Sequence, residues 1–148
     1  MDANDSLAIE TLYETDETAW LELTAEQVRA RRFDEVDAAS LAEYLTDMAR
    51  RDRREVVSRL IVLLADLLKW RYQPEKRSGS WRATILEQQR EMEMIVESGT
   101  LHDHAVATLD KAHGYARIEA AAETGLPLSA FPEDCPWDLG AILVDPGA

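Results

Sequence analysis

The sequence predicts an all-α fold, a single-domain bundle of about five helices closed by a proline-rich, packed C-terminal tail. Three observations carry this. Apolar residues recur at three- and four-residue spacing along most of the chain. No segment sustains the apolar–polar alternation of a half-buried strand. Four of the five prolines fall after residue 125, so Pro74 alone punctuates the region before the tail.

Residues 1–12 have weak periodicity and read as a flexible N-terminal arm, with residues 13–148 as one helical domain. Thr15 or Asp16 can cap a first helix that runs to about Arg32, with Trp20, Leu23 and Val28 as its inner residues. Asp37 can cap a second, in which Leu41, Tyr44, Leu45 and Met48 repeat at helical spacing. Asp52 followed by Glu55 reads as a capping box opening a third. In that helix Val56, Val57, Leu60, Ile61, Leu63, Leu64, Leu67 and Leu68 cover an arc of roughly 160°. A face that wide predicts a central helix, with Leu60, Leu64 and Leu67 among the most buried residues.

Pro74 ends that helix, and PEKRSG forms a turn. Ser80 caps a fourth helix to about Ser98, with Trp81, Ile85, Met92, Ile95 and Val96 on one face. Gln88 shares that face, an odd place for an amide. Gly99 reads as the glycine past a helix end, and Thr100 as the cap of a fifth helix to Thr124. Its stripe is Leu101, Ala105, Leu109, Ala112, Ala116 and Ala120, small enough for close approach of a neighbour. Gly114 lies inside it, at a cost near 1 kcal/mol relative to alanine. Gly125 and Pro127 mark its stop. The tail carries Leu126, Phe131, Trp137, Leu139 and Leu143, too apolar to hang free, with one short helix near Asp138–Leu143.

The charge of −13 is segregated. Residues 1–48 carry −10, residues 49–90 carry +6 and residues 91–148 carry −9. Such an acidic molecule repels nucleic acid and anionic membranes as a whole. No stretch is apolar enough for a membrane span and no signal peptide opens the chain. The lone Cys135 excludes a disulfide framework and places the protein in a reducing compartment, the cytoplasm.

Three stretches resemble a known family: the opening YETDETAWL (Tyr13–Leu21), the central LLKWRYQPEKRSGSWRATILEQQRE with Trp70, Tyr72, Gln73, Pro74, Trp81, Arg82 and Glu87, and the closing AAETGLPLSAFPEDCPW (Ala121–Trp137). In this order they resemble the bacterial family called domain of unknown function 29. The resemblance implies an all-helical protein and brings no activity, substrate or cofactor. Gly114 departs from it, standing where a polar helix former is expected.

The chemistry-bearing residues are sparse. His102, His104 and His113 lie near Glu97, Asp103 and Asp110, but their spacing does not converge. His102 and His104 diverge by about 160° on a helix, and His102 and His113 stand roughly 16 Å apart along its axis. All three read as surface residues, and no metal or cofactor is implied. Cys135, beside Glu133 and Asp134, reads as a packed thiol rather than a nucleophile. There is no G-x-S-x-G, phosphate loop or dinucleotide fingerprint.

The segment at 69–82 is the most unusual. Lys69, Arg71, Lys76, Arg77 and Arg82 interleave with Trp70, Tyr72 and Trp81, a composition that can stack bases or hold phosphate. It can equally pack a helix–turn–helix corner whose bases bind acids. Glu119 and Glu123 fall toward the stripe of the fifth helix, where buried carboxylates need a base from this corner. The candidate binding surface is therefore Lys69, Trp70, Arg71, Tyr72, Arg77, Trp81, Arg82, Gln88, Glu119 and Glu123. The leading reading is a non-catalytic protein-interaction or regulatory module whose partner is another protein. The alternative is a nucleic-acid- or phosphate-ligand-binding protein, a nuclease included, acting at that corner. Homo-oligomerisation is compatible with either reading.

Overall fold

A computed structural model describes residues 12–144 and is all-helical, with no strand among them. After helical residues 12–15 come α1 (Glu17–Arg29), α2 (Ala38–Tyr72), α3 (Gly79–Ile95), α4 (Gly99–Thr124) and a short α5 (Leu139–Ile142). Single 3-10 turns at Phe33–Glu35, Pro74–Lys76 and Leu128–Ala130 join them. The arm expected at residues 1–12 lies, except for its last residue, outside the described residues. Among the described residues no helix is long and apolar enough to cross a membrane.

Several ends are set by the residues the sequence nominates. Asp16 accepts from the Ala19 amide at 3.1 Å. Asp37 accepts from the Ser40 amide at 3.2 Å and from its hydroxyl at 2.6 Å. Asp138 accepts from the Ala141 amide at 2.8 Å. Gly125 closes α4 in the left-handed region (φ 72°), which glycine adopts without steric cost.

Other ends differ. Ser78 rather than Ser80 caps α3, accepting from the Trp81 amide. Ser98 rather than Thr100 caps α4, so Gly99 begins that helix instead of following the previous one. The end of α1 carries no glycine signal at all. Arg31 takes the left-handed conformation (φ 59°) and donates its amide to Val28, while the Arg32 amide reaches the Gln27 carbonyl. That is the hydrogen-bond pattern of a Schellman turn, made with a side chain that favours it less than glycine does.

The largest departure is the missing break between the expected second and third helices. α2 is continuous over 35 residues. The segment MARRDRREV contains no glycine or proline to interrupt it. Asp52 and Glu55, read as a capping box, are simply neighbours one turn apart on an exposed face. The same spacing serves both roles. Glu55 is held by Arg59 at 2.9 Å and Asp47 by Arg50 at 3.6 Å, exposed pairs of small individual worth.

The chain falls into two compact units, Met1–Arg50 and Arg51–Ala148. In the first, fully buried Trp20 stacks against Tyr13 and Tyr44, with centroids 4.6 and 5.8 Å away. Thr24 and Gln27 continue its buried face, whereas Val28, expected inside, is 43% exposed and Leu23 half-buried. The indole has the most surface to bury, and it sets the rotation of α1.

In the second unit, Val56, Leu60, Leu63, Leu64, Leu67, Leu68 and Trp70 form the buried side of α2. Ile85, Met92 and Val96 of α3 join them, as do Ala105, Leu109, Ala112, Ala116 and Ala120 of α4. Phe131, Leu139 and Ile142 of the tail complete the core, so the apolar tail packs as its composition demands. Leu64 has no exposed surface, and Leu64→Ala should cost about 2–5 kcal/mol in urea titration. A loss below about 1 kcal/mol would place this helix near the surface.

Candidate functional site

The corner at 69–82 joins the last turn of α2, the turn behind Pro74 and the first turns of α3. Trp70 is buried and meets half-buried Trp81 edge-on, centroids 5.3 Å apart at 71°. Tyr72 meets Phe131 of the tail in the same way, at 5.6 Å and 76°. The aromatic residues that could stack bases therefore stack with protein rings.

Most of the bases are engaged as well. The Arg77 Nε donates to the Trp70 carbonyl at 2.8 Å, with its guanidinium 5.0 Å from the Trp70 ring centre. This satisfies a carbonyl that the end of α2 leaves without an intrahelical partner. Arg71 lies 5.8 Å from the centre of the Tyr72 ring and 5.9 Å from that of Trp137, within cation–π range. Arg82 is half-buried and not free. Lys76 is exposed in the turn.

Lys69 is the hub. Its ammonium lies 2.9 Å from Asp66 Oδ1 and also pairs with Glu123 of α4. The side chains of Lys69 and Asp66 are only 19% and 14% exposed. Burial acts to lower the Lys69 pKa, but hydrogen bonds to Asp66 and Glu123 and their charges outweigh it and hold the pKa above the ordinary lysine value. Asp66 Oδ2 also accepts from Gln88 Nε2 at 2.9 Å. The amide that looks misplaced on the apolar face of α3 is thus a partner for a shielded carboxylate. Glu123 finds the base that its position calls for, although both it and Glu119 are exposed rather than buried. Glu119 is in no ion pair among the described residues.

The histidines need one correction. His113 is 2% exposed, not on the surface, because it adjoins Ala112 on the buried stripe of α4. Its Nε2 has no hydrogen-bond partner among the described residues. Burial lowers its pKa and the nearby Arg117 adds to this, against weaker opposing effects of Asp110 and Asp134. His102 is exposed and His104 half-buried. Among the described residues no group of three or more His, Cys, Asp or Glu is arranged to hold a metal ion. Half-buried Cys135 donates to the Trp137 carbonyl at 3.2 Å, and burial raises its pKa, which disfavours the nucleophilic thiolate.

Two features were not singled out from the sequence. Gln89, buried in α3, donates to the carbonyls of Ile142 and Val144 and ties down the end of α5. The second is an open, apolar groove of about 520 Å3 within the first unit. Leu21, Ala25 and Val28 of α1 form one wall, and Leu41, Tyr44 and Leu45 of α2 the other. Its signal is present in the sequence. Leu21, Ala25 and Val28 recur at i, i+4 and i+7 beside the Trp20 face, giving α1 a second apolar face that its own fold does not need.

The chain belongs to the domain of unknown function family DUF29, whose model matches residues 12–146. Neither the curated proteins nor the solved structures yield a match.

The buried imidazole makes stability depend on pH. Its folded pKa is depressed, so the contribution of neutral His113 is fully present above the unfolded value of 6.5 and is lost as pH falls toward the folded value. Between pH 7 and 5.5 the wild type should lose more unfolding free energy than His113→Gln in matched urea titrations. Equal slopes would mean that His113 titrates alike in the folded and unfolded chain.

Proposed function

We propose that the protein is a non-catalytic protein-interaction or regulatory module, which presents the groove of its first unit to a protein partner. The groove is the observation that carries this reading. Leu45 on its wall is 58% exposed and Val28 is 43% exposed, while the side chains around them form an apolar surface. Its volume lies within the roughly 300–1,000 Å3 range of ligand sites. Two helices framing an apolar trough are the usual receptor for a helix from another chain.

The composition of the groove supports binding rather than chemistry. It is lined mainly by aliphatic side chains with one tyrosine, one threonine and one arginine, and holds no histidine, cysteine or carboxylate. Arg29 at its edge is already paired with Glu26 at 3.1 Å. The corner at 69–82 offers less to a partner, since its aromatic rings and most of its bases are occupied within the fold. The unpaired Cys135 accords with work in a reducing compartment, the cytoplasm.

A photo-crosslinking amino acid at Leu45 should form a discrete protein adduct in the native cell, and one at Lys76 should not. Labelled single-stranded and duplex oligonucleotides should not bind at physiological salt. Micromolar oligonucleotide binding that weakens steeply with salt and disappears in Arg71→Ala/Lys76→Ala would replace this reading with nucleic-acid binding at the corner.

A further inference from the structure

The first unit combines its apolar groove with a strong excess of negative charge. Residues 12–50 contain ten acids and four bases, a net −6. Three of the four bases are already in ion pairs: Arg29 with Glu26, Arg32 with Glu35 and Arg50 with Asp47. Glu17, Glu22, Asp34 and Glu43 are in no ion pair among the described residues. Glu17 lies one turn before Leu21 and Glu22 directly after it, so carboxylates flank the α1 wall.

We infer that the groove receives a basic amphipathic helix from another protein. The inference rests on the interaction-module reading and adds the chemistry of the partner. Apolar residues at i, i+3 or i+4, and i+7 on that helix would enter between Leu21, Val28, Leu41 and Leu45. Lysines and arginines flanking the stripe would meet Glu17, Glu22 and the surrounding field. The charge argues against the two occupants that this chain could itself supply. A second copy brings another −13, and the chain's own residues 1–11 hold three acids and no base. Either would place like charges together around the groove, which disfavours association. A cationic helix gains both apolar burial and electrostatic steering.

The test uses the full chain and synthetic peptides of about 18 residues, long enough to sustain a helix. One peptide has a leucine stripe flanked by lysines. A second has the same composition scrambled so that no stripe forms. A third has the stripe flanked by glutamates. Binding is read by fluorescence anisotropy and stoichiometry, and self-association by sedimentation. The Leu/Lys stripe peptide should bind one to one, at least about tenfold tighter than its scrambled and acidic counterparts. Leu45→Glu in the protein should weaken that binding by a similar factor. This variant changes an exposed side chain, and circular dichroism verifies its fold. It also makes the unit more acidic, so non-specific charge attraction would strengthen where groove docking weakens.

Equal binding of the scrambled peptide, or tighter binding by Leu45→Glu, would overturn the inference. Equal binding of the acidic stripe peptide would remove the preference for base and leave the interaction reading intact. Self-association abolished by Leu45→Glu would make a second copy the occupant and overturn the inference, again without touching that reading. Failure of every stripe peptide, with no crosslinked partner at Leu45, would remove both.

Discussion

Burial of the second half of α2 is the constraint on which the rest depends. Val56, Leu60, Leu63, Leu64 and Leu68 have no exposed surface, and α3, α4 and the tail all contribute residues to the core around them. An apolar arc that wide cannot be covered by one neighbour, which is why the sequence spends its alanines on α4 and its late aromatic residues on the tail. Burial then dictates the polar chemistry. Asp66 and Lys69 lie at the edge of the buried arc, where an unpartnered charge would be costly. Gln88 and Glu123 answer them from two different helices.

The basic middle of the chain is accordingly two different things. At 69–82 most of its charges are components of the fold. They cap a helix end, stack on rings and pair with carboxylates. At 50–59 they lie along an exposed helical face, with Arg50 and Arg59 held by acids one turn away. Net charge over a segment distinguishes neither case, because what matters is the partner each side chain meets. The excess of acid around the groove is different again. There the local bases are mostly committed to local acids, and several carboxylates remain over.

Much of this is legible in the sequence. Pro74, Gly125 and the aspartates at 16, 37 and 138 act locally, so their effects follow from the backbone chemistry of the residues beside them. The stripe of α4 and the buried leucines of α2 follow from periodicity. The readings that differ arise where one local signal can serve two purposes or where residue type and position disagree. D-x-x-E at Asp52 is a capping box at a helix start and a surface pair within a helix. A serine two residues earlier can take the cap from Ser80 or Thr100. His113 belongs to the buried stripe by position, although its residue type suggests the surface. The candidate corner stands out by composition, but whether its rings and bases are occupied depends on Glu123, Phe131 and Trp137, which only the fold brings near. The groove stays hidden because an apolar i, i+4, i+7 face ordinarily means core, and only the packing of Trp20 shows which of the two faces of α1 is used.

Continuity of α2 is the central claim, since the same helix carries a wall of the groove in its first turns and the core of the second unit in its last. Backbone 13Cα and carbonyl chemical shifts across residues 38–72 of the full chain test it most directly. Unbroken helical shifts through Ala49, Arg50, Arg51 and Asp52 are the expected result. Coil-like shifts at Arg50 and Arg51, followed by the shift pattern of an N-cap at Asp52, would contradict it and restore two separate helices.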